Sequence, residues 1–196
     1  MLATALRFGP VDHGRLVTDE ELDVAEYDSG FDYEVIYGRL YASPAPNPSH
    51  DAFEKSILFQ LWEYQKQHPE IVGYVTDRAR VFVPSEIKTT APEPDLALFQ
   101  SAPDDDWREV EPFIVGEVLR GDDINKDLFR NVGLYWAVPS IREYWVFDIR
   151  TDARRAKLIV YQRGPSGWSI TEHSADSAYE TPLLPGLKLA LSLPQP

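Results

Sequence analysis

Short apolar runs bounded by turn residues recur through the chain and predict the strands of a buried sheet. Two of them, 94–99 and 113–119, are rich in strand-forming residues and contain few polar positions. A third run, 143–148, has the same character. Further strands are predicted as a hairpin over 33–41 that turns at Tyr37 and Gly38, at 73–76 and 79–84, as a hairpin of 157–162 with 167–171, and as an edge strand over 186–193.

Capping signals and apolar residues at helical spacing predict three helices. Thr18 and Glu21 have capping-box spacing, which predicts a short helix to about residue 27. A second helix, capped by Ser49 and ending near residue 68, is predicted from Phe53, Ile57, Leu61 and Tyr64. A third is predicted over 124–137. The order of these elements predicts one domain over residues 1–196, of the α/β class, with a mixed β-sheet flanked by helices.

The composition is that of a globular protein and excludes several chemistries. The 196 residues include 43% hydrophobic and 26% charged residues and no cysteine, so disulfides and cysteine nucleophiles are excluded. The first ten residues lack the apolar core of a signal peptide, and a cytoplasmic location without membrane contact is expected. The formal net charge of −13 disfavours non-specific binding to nucleic acid, although a metal that bridges carboxylates to phosphate is compatible with it.

Each of the first two apolar runs carries one carboxylate, Asp95 in the first and Glu117 in the second. An ionised carboxylate in a buried sheet is costly unless it is paired or holds a cation. Two such groups on neighbouring strands predict a divalent-metal site, because magnesium-type ions prefer oxygen ligands and commonly take one or two carboxylates. The alternative is that each carboxylate caps a turn or pairs with an arginine.

The motifs resemble those of a known enzyme family. Pro94-Asp95, Glu117-Val118-Leu119, Asp127, Tyr135 and the strand Glu143–Asp148 stand in the order and spacing of the Uma-type restriction endonucleases, within the PD-(D/E)XK nuclease superfamily. The similarity covers roughly residues 18–190.

That resemblance implies a restriction-endonuclease-like core that acts on DNA with Mg²⁺, for which Mn²⁺ can substitute. The metal ligands implied are Asp95 and Glu117, with Glu34 as a further ligand. The resemblance also favours a place for His50 near the site, where it would contact substrate or metal, although a capping or packing role is the simpler interpretation of a single histidine. By analogy with relatives that cut two strands with two subunits, a homodimer is expected.

The chain departs from the family pattern at the lysine that orients the attacking water. One usual slot, two residues after the glutamate, is Leu119, and the other, four residues after Asp127, is Asn131. Three basic residues are candidates to replace that lysine: Lys126 and Arg130 on the third predicted helix, and Arg120 directly after the apolar run 113–119. Asn131 could orient water by hydrogen bonding but supplies no charge. The alternative for Lys126 and Arg130 is a solvated helix face.

Two functions therefore stay open at this stage. The first is a Mg²⁺-dependent endonuclease that hydrolyses DNA phosphodiester bonds, with activity impaired to the extent that the lysine is not replaced. The second is a catalytically inactive module of the same fold that binds nucleic acid or protein partners, or forms an oligomer. A basic hairpin, with arginines or lysine at 150, 154, 155, 157 and 163, is either a nucleic-acid contact or a surface of internal ion pairs.

Overall fold

The computed structural model describes residues 6–84, 88–104, 106–119, 121 and 124–194. This part of the chain forms ten strands and three α-helices. The strands are β1 (Arg7–Phe8), β2 (Glu26–Tyr27), β3 (Phe31–Ile36), β4 (Arg39–Pro44), β5 (Tyr74–Thr76), β6 (Leu96–Phe99), β7 (Ile114–Leu119), β8 (Glu143–Asp148), β9 (Lys157–Arg163) and β10 (Trp168–His173). The helices are α1 (Asp19–Val24), α2 (Pro48–Gln67) and α3 (Asn131–Trp136).

A six-stranded mixed sheet forms the centre of the fold, with strand order β10-β9-β8-β7-β6-β5. Strands β7 and β8 are parallel, and the other neighbours in this sheet are antiparallel. A parallel pair requires a crossover connection, and the segment between β7 and β8 contains α3. The α/β class and the mixed sheet flanked by helices are therefore confirmed.

Helices cover both faces of this sheet. Helix α2 packs its apolar residues, among them Phe53 and Leu61, against the side chains of Leu96 and Val118. On the opposite face Tyr135 of α3 packs with Val115. All six residues of β7 are buried, which explains why its sequence is almost entirely apolar.

The N-terminal part of the chain forms a smaller layer beside the sheet. Strands β3 and β4 make an antiparallel hairpin whose turn residues, Tyr37 and Gly38, have φ values of 51° and 72°. Two positive φ values in succession are typical of the tight turns that match the twist of a hairpin. The predicted hairpin and its turn are confirmed.

The capping box of α1 also forms as predicted, with the Thr18 side chain accepting from the Glu21 backbone and Glu21 accepting from the Thr18 backbone. The helix ends at Val24, earlier than predicted, because Glu26 and Tyr27 pair with β1.

Three sequence predictions about the elements were wrong. Segment 79–84 forms no strand. The Val81 N–H donates to the carbonyl of Pro92. Because proline has no N–H to donate back, the two segments cannot form a regular hydrogen-bond ladder. Segment 186–193 makes single bridges to two different partners rather than an edge strand. The cap of α2 is Asn47, whose side chain accepts from the His50 backbone, and not Ser49. No helix among the described residues is long and apolar enough to cross a membrane.

Candidate metal centre

A cavity of about 470 Å³ lies where the β3–β4 hairpin meets the ends of β6 and β7 and the start of the third helix. Six carboxylate residues line it, and they are Asp32, Glu34, Glu93, Asp95, Glu117 and Asp127. The cationic residues of the described lining are Arg78 and Lys126. The cavity is therefore strongly acidic.

Asp95 lies directly before β6, and Glu117 lies in the neighbouring strand β7. Leu96 pairs with Gly116 and Ala97 with Val115 in the antiparallel register of β6 and β7, so continuing the register by one residue places Asp95 across from Glu117. Directly opposed residues of an antiparallel pair carry their side chains on the same face of the sheet. The two carboxylates predicted from the apolar runs thus both line one cavity.

Asp95 is held by two donors on one oxygen. Its Oδ2 atom accepts from the Val118 backbone N–H at 2.7 Å and lies 3.0 Å from the Nε2 atom of His50. Burial raises the pKa of Asp95, but the hydrogen bond and charge of His50 outweigh that effect and leave the pKa below its ordinary value. Of the two carboxyls, Asp95 therefore loses its proton more readily than Glu117.

His50 also connects Asp95 to a second buried acid, Glu54. The Nδ1 atom of His50 lies 3.4 Å from Oε2 of Glu54, and both residues are buried. Ligand atoms of His50, Glu54 and Asp95 all lie within 4.8 Å of one another. Burial, reinforced by the charge of Asp95, raises the pKa of Glu54 to about 7.

Glu117 is 2% exposed and is held by two neutral donors. Its Oε1 atom accepts from Nδ2 of Asn131 at 2.9 Å and from the Tyr135 hydroxyl at 3.1 Å. Burial raises the pKa of Glu117 well above its ordinary value, even though the Lys126 ammonium opposes the shift. The Asn131 side chain thus contacts the candidate metal ligand directly, through a hydrogen bond.

Glu34 enters the site from β3 and meets two cations. Its Oε1 atom lies 3.3 Å from the Lys126 ammonium, and its Oε2 atom accepts from Arg130 at 2.8 Å. Burial raises the pKa of Glu34, but these two charges outweigh that effect and lower it. Because both oxygens already face cations, the contacts describe Glu34 as a counter-ion, and its expected role as a metal ligand stays a prediction.

Asp127 is a further buried acid at the cavity, 7% exposed. Burial raises its pKa to about 7, although Lys126 opposes the shift. Its backbone carbonyl accepts from the Tyr144 hydroxyl at 2.8 Å, which fixes the start of the helix to β8. Asp127 and Glu117 together give the cavity two carboxyls that hold protons more tightly than ordinary ones.

The far end of the helix is fixed by Arg163 of β9. Its Nη2 atom donates to the carbonyls of Tyr135, Trp136 and Val138 at 2.8–2.9 Å. The guanidinium carbon lies 4.3 Å from the ring centre of Trp136 and 4.8 Å from that of Trp168. Arg163 therefore satisfies the orphan carbonyls at a helix end, as basic residues commonly do.

The predicted site residues largely converge on this cavity. The structure brings together Asp95, Glu117, Glu34, His50, Lys126, Arg130 and Asn131. Arg120 lies outside the described residues. The catalytic roles assigned to these residues stay predictions. Lys126 and Arg130 are only 21% and 25% exposed, so the solvated helix face considered for them is wrong.

The basic hairpin does not form an open positive patch. Arg150 pairs with Asp148, Arg155 with Asp176 and Lys157 with Glu172. Arg154 donates to the Pro194 carbonyl, and Arg163 is occupied by the helix end. Of the two alternatives for this hairpin, a surface of internal ion pairs therefore fits the structure better than a nucleic-acid contact.

Sequence reasoning missed Glu54. Its signal was nonetheless present, because His50 and Glu54 stand four residues apart on a predicted helix and such residues lie on one face. In the sequence, Asp127 stands out only through the family resemblance, and nothing around it predicts its burial. A polar residue four positions from a candidate functional histidine is the signal that could have identified Glu54.

Comparisons with known proteins agree with this geometry. The model of the Uma2 family, described as "putative restriction endonuclease", matches residues 19–192. The chain belongs to the Uma2 family. Among solved structures, the chain resembles a protein described as "a putative nuclease belonging to DUF820" from Anabaena variabilis, with a TM-score of 0.66 and 18% sequence identity. The match covers 89% of this chain and 95% of that one, and it shows the restriction-endonuclease-like fold. No curated protein matched the chain.

The donor set of this Uma2 protein fits a hard divalent cation. In the described part of the chain, Asp95 and Glu117 each have one oxygen fixed by two donors, and these two residues would hold the cation. Two carboxylates, with water and substrate completing the shell, are what magnesium-type ions commonly take.

Proposed function

We propose that this chain is a metal-dependent nuclease that hydrolyses phosphodiester bonds of DNA in the acidic cavity. The observation that carries the proposal is that Asp95, which directly precedes β6, and Glu117 of the neighbouring strand β7 line one cavity in a restriction-endonuclease-like fold. The family description and the description of the similar structure point to the same reaction class.

The chain's own groups would orient the metal ligands. Val118 N–H and His50 hold one oxygen of Asp95, and Asn131 and Tyr135 hold one oxygen of Glu117, so both carboxylates are fixed before any ion binds. Fixing the ligands in advance lowers the cost of ordering them on binding. The chemistry that Mg²⁺ or Mn²⁺ supplies at such a centre is polarisation of the scissile phosphate and a lower pKa of the attacking water.

In the proposed reaction a water oxygen bonds to phosphorus while the bond from phosphorus to the leaving sugar oxygen breaks. One proton of the water passes to solvent, and the leaving oxygen takes a proton from solvent. Because six carboxylates line the cavity, a DNA phosphate is expected to enter only when a divalent cation offsets their charge.

A supercoiled-plasmid nicking assay tests the proposal. Wild type should nick the plasmid with Mg²⁺ or Mn²⁺ and stop on chelation, and a Glu117→Ala variant purified in parallel should be inactive while keeping its circular dichroism spectrum. Nicking that persists in the variant would identify a contaminant. Failure of wild type to nick with either ion would refute the proposal.

A second candidate is a silent module that binds nucleic acid without cutting it. The observation in its favour is that both usual lysine positions are apolar or neutral: Leu119 is buried, and Asn131 makes a hydrogen bond to Glu117. The two candidates separate in an anisotropy titration with a labelled duplex. The silent module predicts binding without cleavage in Mg²⁺, whereas the nuclease predicts cleavage.

A further inference from the structure

The helix that borders the cavity is not a regular α-helix throughout: residues 124 and 125 are α-helical, and a π-helical turn follows them. Residues Lys126–Arg130 form a π-helical turn, after which α3 continues from Asn131. The Asn131 N–H donates to the carbonyl of Lys126, five residues back. Turns of this kind are rare and frequently occur at functional sites.

The π-helical turn changes which side chains share a face. In a regular α-helix, positions five apart are roughly 140° from alignment, so Lys126 and Asn131 would point in different directions. A turn that is wider by one residue brings positions five apart close to the same face. Both side chains do meet the site: Asn131 contacts Glu117 at 2.9 Å, and Lys126 lines the cavity 3.3 Å from Glu34.

The other described cations near the cavity differ from Lys126 in position or exposure. Arg130 donates to Oε2 of Glu34 at 2.8 Å and to Oδ1 of Asn131 at 3.0 Å, so it positions these two side chains. Arg78 lies at the rim, 53% exposed, and pairs with Asp32 at 3.0 Å. Among the described cations, Lys126 is the one that is both largely buried and directed into the cavity beside the candidate metal ligands.

We propose that the π-helical turn places the Lys126 ammonium to contact a non-bridging oxygen of the phosphate that is hydrolysed, with Glu34 and Arg130 holding it in position. The inference rests on the proposed nuclease function. The ammonium donates a hydrogen bond and stabilises the negative charge that develops on the phosphate oxygens as water adds. It transfers no proton. Lysine binds phosphate as a compact point charge, and three N–H donors let it contact Glu34 and the phosphate together.

The first test removes the charge. Lys126→Met should lower the rate of plasmid nicking by about 100-fold or more, the loss typical of one oxyanion donor. The matched control is Lys55→Met, which removes an exposed lysine that pairs with Asp51 on α2, and it should nick at the wild-type rate. A Lys126→Met rate within about threefold of wild type would overturn the inference.

The second test moves the charge. Because residue 131 already reaches Glu117, adding Asn131→Lys to the Lys126→Met variant should return an ammonium to the cavity and recover at least about tenfold of the lost rate. Circular dichroism and the melting temperature establish whether the double variant is folded. If it is not, the single variant and its control decide the matter.

Two readouts do not need cleavage. Mn²⁺ binding measured by calorimetry should tighten several-fold in Lys126→Met, because a positive charge near the carboxylates is gone, and should weaken again in the double variant. Binding of a short duplex in Ca²⁺, measured by anisotropy, should weaken in Lys126→Met and not in Lys55→Met. If wild type fails to nick, the proposed function fails, and these readouts still decide the placement of Lys126. Unchanged Mn²⁺ and duplex affinities would refute that placement.

Discussion

The buried carboxyl of Glu54 should make the metal-free protein less stable as the pH rises. Glu54 is 5% exposed, and its pKa is raised from 4.5 to about 7, chiefly because burial disfavours the charged form. Between these two values the native state holds the proton more tightly than the unfolded chain, so the free energy of unfolding falls with increasing pH. A tenfold change in acid dissociation is worth about 1.4 kcal/mol, so the loss approaches about 3 kcal/mol at pH 8.

A Glu54→Gln variant isolates this effect, because its side chain is nearly the same shape and never ionises. Urea unfolding in EDTA at pH 5, 6, 7 and 8 should show similar stability of variant and wild type at pH 5. By pH 8 the variant should be the more stable by up to about 3 kcal/mol. The control is Glu63→Gln, an exposed residue of the same helix that pairs with Lys66, and its profile should run parallel to wild type. Parallel profiles for Glu54→Gln would refute the reasoning.

Two further predictions concern the packing around the site. Gly116→Ala would place a methyl group 2.9 Å from Cγ of Leu96. The free energy of unfolding in urea should therefore fall by about 1–3 kcal/mol. Because the methyl group would push β6 and β7 apart, Mn²⁺ binding measured by calorimetry should also weaken. Wild-type affinity for Mn²⁺ in that variant would contradict the assigned register. Glu143→Ala should lower the free energy of unfolding by about 3 kcal/mol or more, because it leaves buried donors such as Tyr179 and Trp145 without their acceptor; Glu180→Ala, an exposed neighbour, is the control.

The sheet and the carboxylate pair could be predicted from the sequence because buried strands consist mostly of apolar residues. A strand covered on both faces has to be apolar, so a lone acid in such a run, as at Asp95 and Glu117, stands out. The β3–β4 hairpin was accessible for a similar reason, since Tyr37 and Gly38 form a turn that depends on local backbone geometry.

The features that sequence reasoning did not find depend on contacts between distant segments. The π-helical turn at Lys126 carries no local signal, and its partner Glu34 comes from a strand ninety-two positions earlier (126 − 34). Segment 79–84 has strand composition but lies beside a proline, which its own residues do not reveal. Glu54 also meets a distant segment, since its ligand atom lies within 4.8 Å of that of Asp95.

The hydrogen bonds from Arg163 to the carbonyls at the end of α3 have a mechanical consequence. These hydrogen bonds tie one end of the helix to β9 and to two indole rings, and the Tyr144 hydroxyl ties the other end to β8 through the Asp127 carbonyl. Because neighbouring strands of one sheet hold both ends, the helix is braced against tilting relative to the sheet. A side chain carried by this helix, such as Lys126, therefore keeps a set distance from the carboxylates below it.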